Sequence, residues 1–153
     1  MAGPKSKYSG FRRVSGAMAG KIAARVYVCK TCGLHHPPGN KPKACLDPSC
    51  GGLAFIKFDS KAEAARYATL CLLEGQGIIS NLQTQVSFDL MAAKQLQGRT
   101  VQVKVARYVA DFVYDRDGEN ITEDVKGSIT SMAILKLKWM EAMGKPVKLT
   151  GGK

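Results

Sequence analysis

No apolar run in this 153-residue chain is long enough to span a bilayer, and the first 28 residues lack the hydrophobic stretch of a signal peptide. A cytoplasmic protein without membrane attachment is therefore expected. Acids are scarce at the front of the chain. Residues 1–53 hold nine Lys/Arg against Asp47 alone, a balance of +8, whereas residues 54–153 hold fourteen against eleven, +3. There is also no lipidation signal and no strongly basic amphipathic helix, which removes a membrane surface as the partner of a chain with net charge +11. Nucleic acid is the polyanion left to expect. With 45% hydrophobic residues, the chain is globular rather than disordered.

Composition divides the sequence into three. Residues 1–25 read as a basic arm rich in Gly, Ser, Lys and Arg, in which Arg12, Arg13, Lys21 and Arg25 could follow a phosphate backbone. Residues 26–53 hold four of the five cysteines, as Cys29-x2-Cys32 and Cys45-x4-Cys50. Each pair has the spacing of a knuckle whose thiolates reach one ion, and two knuckles complete a tetrahedron. Disulfides are not expected in the cytosol, so the segment reads as a small zinc-ribbon module holding structural Zn²⁺ on Cys29, Cys32, Cys45 and Cys50. His35 and His36 then read as loop residues. Lys30, Lys41 and Lys43 on this module are candidates for DNA contact; a structural clip with solvated lysines is the other reading. Cys71 is expected to be a buried apolar residue.

Residues 54–153 read as an α/β domain, a mixed central sheet flanked by helices. Ser60 with Glu63 has the spacing of a capping box, opening a helix that runs to Gly75. Gln83–Leu90, Thr100–Val105, Tyr108–Asp115 and Asn120–Lys126 have strand composition, and Arg116-Asp117-Gly118 marks a hairpin turn between the last two. A second helix is expected from about Ser128 to Met143, then a final strand over Lys145–Leu149.

Acids concentrate late: Asp111, Asp115, Asp117, Glu119, Glu123 and Asp124 fall within fourteen residues. Asp111 and Asp124, on neighbouring strands, can converge on one Mg²⁺ or Mn²⁺, with the Val125 carbonyl as a further oxygen ligand. Strand alternation puts Lys126 on the face of Asp124, where it can orient the attacking water or stabilise charge on a phosphate. Alternation also turns Glu123 to the opposite face, so Glu123 is expected in solvent, as are Asp115, Asp117 and Glu119.

Asp111 followed by Asp124-Val125-Lys126 resembles the motif of the PD-(D/E)xK nuclease superfamily, with Ala110 where the family pattern has Pro. The pieces Phe58-Asp59-Ser60-Lys61-Ala62-Glu63-Ala64, Ala110-Asp111-Phe112 and Glu123-Asp124-Val125-Lys126-Gly127 resemble, in order, a group of small phage-encoded nucleases associated with Holliday-junction resolution. The resemblance implies a restriction-endonuclease-like core over roughly 54–149 and catalytic roles for Asp111, Asp124 and Lys126. It also implies Glu63 as an added metal or water contact, Lys136 and Lys138 as holders of substrate backbone, and the host cytoplasm as the location. The substrate it implies is branched DNA, four-way junctions above all, nicked in pairs. The apolar residues of the second helix exceed what one sheet face needs, and a homodimer would match the junction's symmetry. Alternatives are a nuclease for linear duplex, flap or single-stranded DNA, and a non-catalytic zinc-ribbon DNA-binding protein.

Overall fold

The computed structural model describes residues 25–151, so Arg12, Arg13 and Lys21 lie outside the described residues. The described chain divides into two units, one ending at Gly77 and the other beginning at Ile78.

In the first unit, β1 (Val26–Cys29) is the central strand of a three-stranded antiparallel sheet. It pairs with the short β2 (His35–His36) on one side and β3 (Phe55–Phe58) on the other. Helix α1 (Lys61–Gly75) packs on β1 and β3, burying Ala64 and Leu70. Its start follows the expected capping box. The Ser60 hydroxyl accepts from the Glu63 N–H at 3.1 Å and donates to Glu63 Oε1 at 2.9 Å, while Glu63 Oε2 accepts from the Asp59 N–H at 3.2 Å. The helix ends where Gly77 takes φ +70° and its N–H reaches the Glu74 carbonyl.

In the second unit, β4 (Ser80–Leu96), β5 (Arg99–Arg116), β6 (Glu119–Val125) and β7 (Val147–Thr150) form one sheet in that order. The first three run antiparallel, and β7 joins β6 in parallel. A parallel neighbour requires a crossover, supplied by α2 (Ser131–Ala142). Thr130 caps α2 by accepting from the Ala133 N–H at 3.1 Å. Ile134, Leu137 and Met140 of α2 form a core with Leu90, Tyr108 and Val147. The mixed sheet with helical cover and a four-cysteine segment is the expected fold class.

Two expectations are corrected. Thr100–Val105 and Tyr108–Asp115 are one continuous strand, β5. Leu90 pairs with Ala106 but Met91 with Lys104, so Val105 is an extra residue, a bulge that absorbs a slip in the apolar alternation. His35 and His36 are not loop residues but form β2, and His36 is buried with its ring edge-on to Phe55.

A candidate two-carboxylate site and a four-thiol centre

The knuckles are built by backbone hydrogen bonds. After Cys29 leaves β1, the Gly33 N–H returns to the Cys29 carbonyl at 2.9 Å, and Gly33 adopts φ +73° to make the turn. In the second knuckle, Asp47 Oδ1 accepts from the Ser49 N–H at 2.9 Å and the Ser49 hydroxyl at 2.6 Å, and the Cys50 N–H reaches the Asp47 carbonyl at 3.1 Å. These turns bring the Sγ atoms of Cys29, Cys32, Cys45 and Cys50 within 4.8 Å of one another. Cys29 to Cys50 is 3.7 Å and Cys32 to Cys45 is 3.6 Å. A zinc–thiolate tetrahedron with bonds of about 2.3 Å has edges of about 3.8 Å, so the cage fits that ion. The backbone N–H of Cys32 leads the effects that lower the Cys29 thiol to about 6, whereas burial leads those that push Cys50 up to about 12. Four crowded sulfurs cannot all ionise without a cation among them.

Gly52 closes this cage. A Cβ there would lie 2.6 Å from the Cys29 sulfur, 2.9 Å from the Thr31 hydroxyl and 3.0 Å from the Cys50 sulfur. Gly52→Ala must displace two ligands, and its zinc affinity is expected to fall about 10–100-fold, the scale of a disturbed outer shell. Competition with a chromophoric chelator reads this directly; an unchanged affinity would show that the ligands can move aside freely.

The second site lies where β5 and β6 meet. Phe112 pairs with Glu123, which places Asp111 beside Asp124 at the next position. Their carboxyls are within hydrogen-bonding reach of each other, and both are buried. Asp111 Oδ2 accepts from the Val125 N–H at 2.8 Å, and Oδ1 from Gln85 Nε2 at 3.3 Å. Asp124 Oδ2 accepts from the Tyr108 hydroxyl, and Lys126 Nζ stands 3.0 Å from Asp124 Oδ1. That Oδ1 atom is buried and has no hydrogen-bond partner beyond this ion pair. A buried acid pair whose free oxygens converge with one lysine beside them suits a hard divalent cation. Burial and the Asp124 carboxyl beside it push Asp111 up to about 8. For Asp124, burial works upward too, but the hydrogen bond with Asp111, the Lys126 charge and the Tyr108 hydroxyl outweigh it and hold the group low.

Of the expected site residues, Asp111, Asp124, Val125 and Lys126 come together here. Glu63 belongs to the first unit, where its carboxylate is engaged in the capping box. Arg25, Lys30, Lys41 and Lys43 are exposed on the first unit. Lys138 is exposed on α2, and Lys136 spends its ammonium on the Arg107 carbonyl at 2.9 Å. Glu123 is not in solvent. It is fully buried, accepting from the Tyr114 hydroxyl at 2.8 Å and the Thr150 hydroxyl at 3.2 Å, with Lys148 4.0 Å away. Cys71 is only partly buried.

Two participants escaped the sequence reading. Tyr108 lies three residues before Asp111 on the same strand, where an aromatic residue in sequence signals strand composition alone. Gln85 sits in β4 at φ +54°, a left-handed conformation costing a non-glycine residue about 1–2 kcal/mol. A single sequence carries no sign of that backbone.

Residues 53–151 match the model of a family described as "Protein of unknown function (DUF1064)". The chain belongs to the DUF1064 family. No curated protein and no solved structure matches it. The DUF1064 match begins just after Cys50, the last of the four clustered cysteines, and covers β3, α1, the described second unit, Asp111 and Asp124. The four-thiol centre precedes it. No helix among the described residues of this DUF1064 protein is long and apolar enough to cross a membrane.

Proposed function

We propose that this protein is a metal-dependent endodeoxyribonuclease acting on branched DNA, with the four-way junction as leading substrate. The observation that carries the reading is the buried Asp111–Asp124 pair with Lys126 on the same carboxylate. Binding alone has no use for two acids that repel phosphate, whereas hydrolysis does. Asp111, Asp124 and the Val125 carbonyl are the residues that would hold Mg²⁺ or Mn²⁺. The ion supplies Lewis acidity and a lowered pKa for a bound water. Lys126, more exposed than its acid partner, turns toward the substrate phosphate and orients the nucleophile. Gln85 and Tyr108 fix the carboxylates; the contribution of Glu63 that the PD-(D/E)xK resemblance implies has no support in its capping-box position. The choice of junction over other DNA, and the phage source, rest on that resemblance alone. The exposed Met132 and Leu135 of α2 support a homodimer with two sites for two strands.

The test is a labelled immobile four-way junction and a matched linear duplex incubated with protein and Mg²⁺. Paired symmetric nicks in the junction alone are expected. Cleavage of both substrates would keep the nuclease and discard the junction preference; tight binding without cleavage in Mg²⁺ or Mn²⁺ would leave a DNA-binding protein.

The same site predicts a pH-dependent response to metal. The folded-state pKa of Asp111 lies near 8, above its unfolded value of about 4, so folding favours the protonated form. Its contribution is full below about pH 4 and is lost as pH rises toward 8. Asp124 is shifted downward, so its contribution is present above the unfolded value and lost only in acid. A cation binding the ionised pair should restore what Asp111 loses. The rise in melting temperature on adding Mg²⁺ to zinc-loaded protein is expected to be larger at about pH 8 than at about pH 5. Equal rises at both would contradict a cation site on these carboxyls.

A further inference from the structure

Pairing between β5 and β6 stops at Phe112, yet β4 and β5 stay paired as far as Leu96 and Arg99. Beyond the sheet they form a two-stranded ribbon. From Met91–Lys104 to Leu96–Arg99 it runs about 17 Å at 3.4 Å per residue. Gln97 (φ +49°) and Gly98 (φ +76°) close it in a tight turn suited to strand twist. Near the tip, Gln95 Nε2 donates to the Thr100 hydroxyl at 2.8 Å.

The base of the ribbon is held in place. Trp139 Nε1 donates to the Met91 carbonyl at 2.9 Å and Lys136 Nζ to the Arg107 carbonyl at 2.9 Å, so α2 fastens both strands. Charge on the ribbon has one sign. Across 89–107 stand Lys94, Arg99, Lys104 and Arg107 against Asp89 alone. Asp89 sits near the base, 2.7 Å from Lys104 and 3.6 Å from Arg107. Lys94 and Arg99, nearest the tip, are exposed and have no acid partner among the described residues.

We propose that this ribbon enters a groove of duplex DNA, with Lys94 and Arg99 on the phosphates at its edges. A two-stranded ribbon fits the major groove, and exposed cations near its tip are drawn to the dense negative charge along a duplex. A second copy of this chain fits poorly, because it would bring the same unneutralised cations to the contact. The ribbon thus grips an arm of the substrate through residues separate from the metal site. The proposal rests on the nucleic-acid reading above, and its test is chosen so that the two can fail independently.

Full-length, zinc-loaded protein carrying Lys94→Glu and Arg99→Glu is compared with wild type by fluorescence anisotropy on labelled junction and duplex. Titrations run in Ca²⁺ across a salt series, with single-turnover cleavage at saturating DNA in Mg²⁺. The double variant is expected to bind at least about 10-fold more weakly, with a salt slope shallower by about 2, while its saturated cleavage rate holds. Lys94→Ala with Arg99→Ala should show the same change in slope and a smaller loss of affinity, and it carries the test if the glutamate pair lowers the melting temperature. Unchanged affinity and slope in protein that still cleaves would overturn the ribbon and leave the nuclease. A wild type that neither binds nor cleaves DNA would remove both. A variant that loses dimerisation in sedimentation with an unchanged salt slope would make the ribbon a contact between copies, and the proposal would fall.

Discussion

Asp124→Asn should lose cleavage by at least about 10²–10³-fold, the scale of removing one group that stabilises charge at a reacting centre. DNA binding should persist or tighten. The reason is local. Asp124 is buried, with Lys126 on one oxygen and the Tyr108 hydroxyl on the other, and burial together with the Asp124 carboxyl pushes Asp111 up. Asparagine keeps the shape, and its single amide oxygen can still accept from one of the two donors. What it removes is the negative charge that a cation needs and that phosphate avoids. Cleavage and anisotropy on the same junction, beside a melting curve, separate the possibilities. Parallel loss of cleavage and binding at unchanged melting temperature would mean that Asp124 serves binding, and the nuclease reading would fail.

Removing zinc should have an equally large effect on a different part of the molecule. The thiol cage joins the end of β1 to the segment leading into β3, across a stretch with little apolar content of its own. Structural zinc in small modules contributes an apparent 10–16 kcal/mol or so at neutral pH, more than such a segment can supply by burial. Cys45→Ser, or chelation of the wild type, is expected to open the first unit to proteases while the core around Leu90, Tyr108, Leu137 and Met140 stays protected. Mass spectrometry of the limit digest should find fragments beginning near Ile78. An unaltered digest from protein shown to be metal-free would mean that the cysteines stabilise the unit as thiols.

The features legible in the sequence are those written in short-range chemistry. Ser60 and Glu63 announce α1 because a capping box needs only four consecutive residues. Asp117-Gly118 announces the turn into β6 because both residues tolerate positive φ. The cysteine spacings give the thiol cage for the same reason. Where the sequence misleads, a neighbour distant in the chain has intervened. Glu123 should face solvent by alternation, but Tyr114 and Thr150 arrive from the two flanking strands with hydroxyls that let a carboxylate be buried. Val105 breaks the alternation of β5, and a broken alternation reads as two strands until a partner shows that a bulge has kept them as one. His36 looked like a loop residue because a two-residue strand has no period of its own. Gln85 is the extreme case, a left-handed residue inside a long strand with no glycine to mark it.

The pairing of β1 with β3 has a consequence for how the protein can be cut. Four successive registers, Val26 with Phe58 through Cys29 with Phe55, join a strand ahead of the family segment to the first strand inside it. The Lys30 N–H adds a bond to the Ala54 carbonyl at 2.9 Å. A fragment trimmed to the family boundary at residue 53 would leave β3 as a lone strand under α1, with its hydrogen-bonding edge bare. The cysteine segment is therefore no detachable tag on a self-sufficient domain. A family member without it would need another chain segment in the same slot, because α1, the helix bearing Glu63, packs on β1 as well as β3.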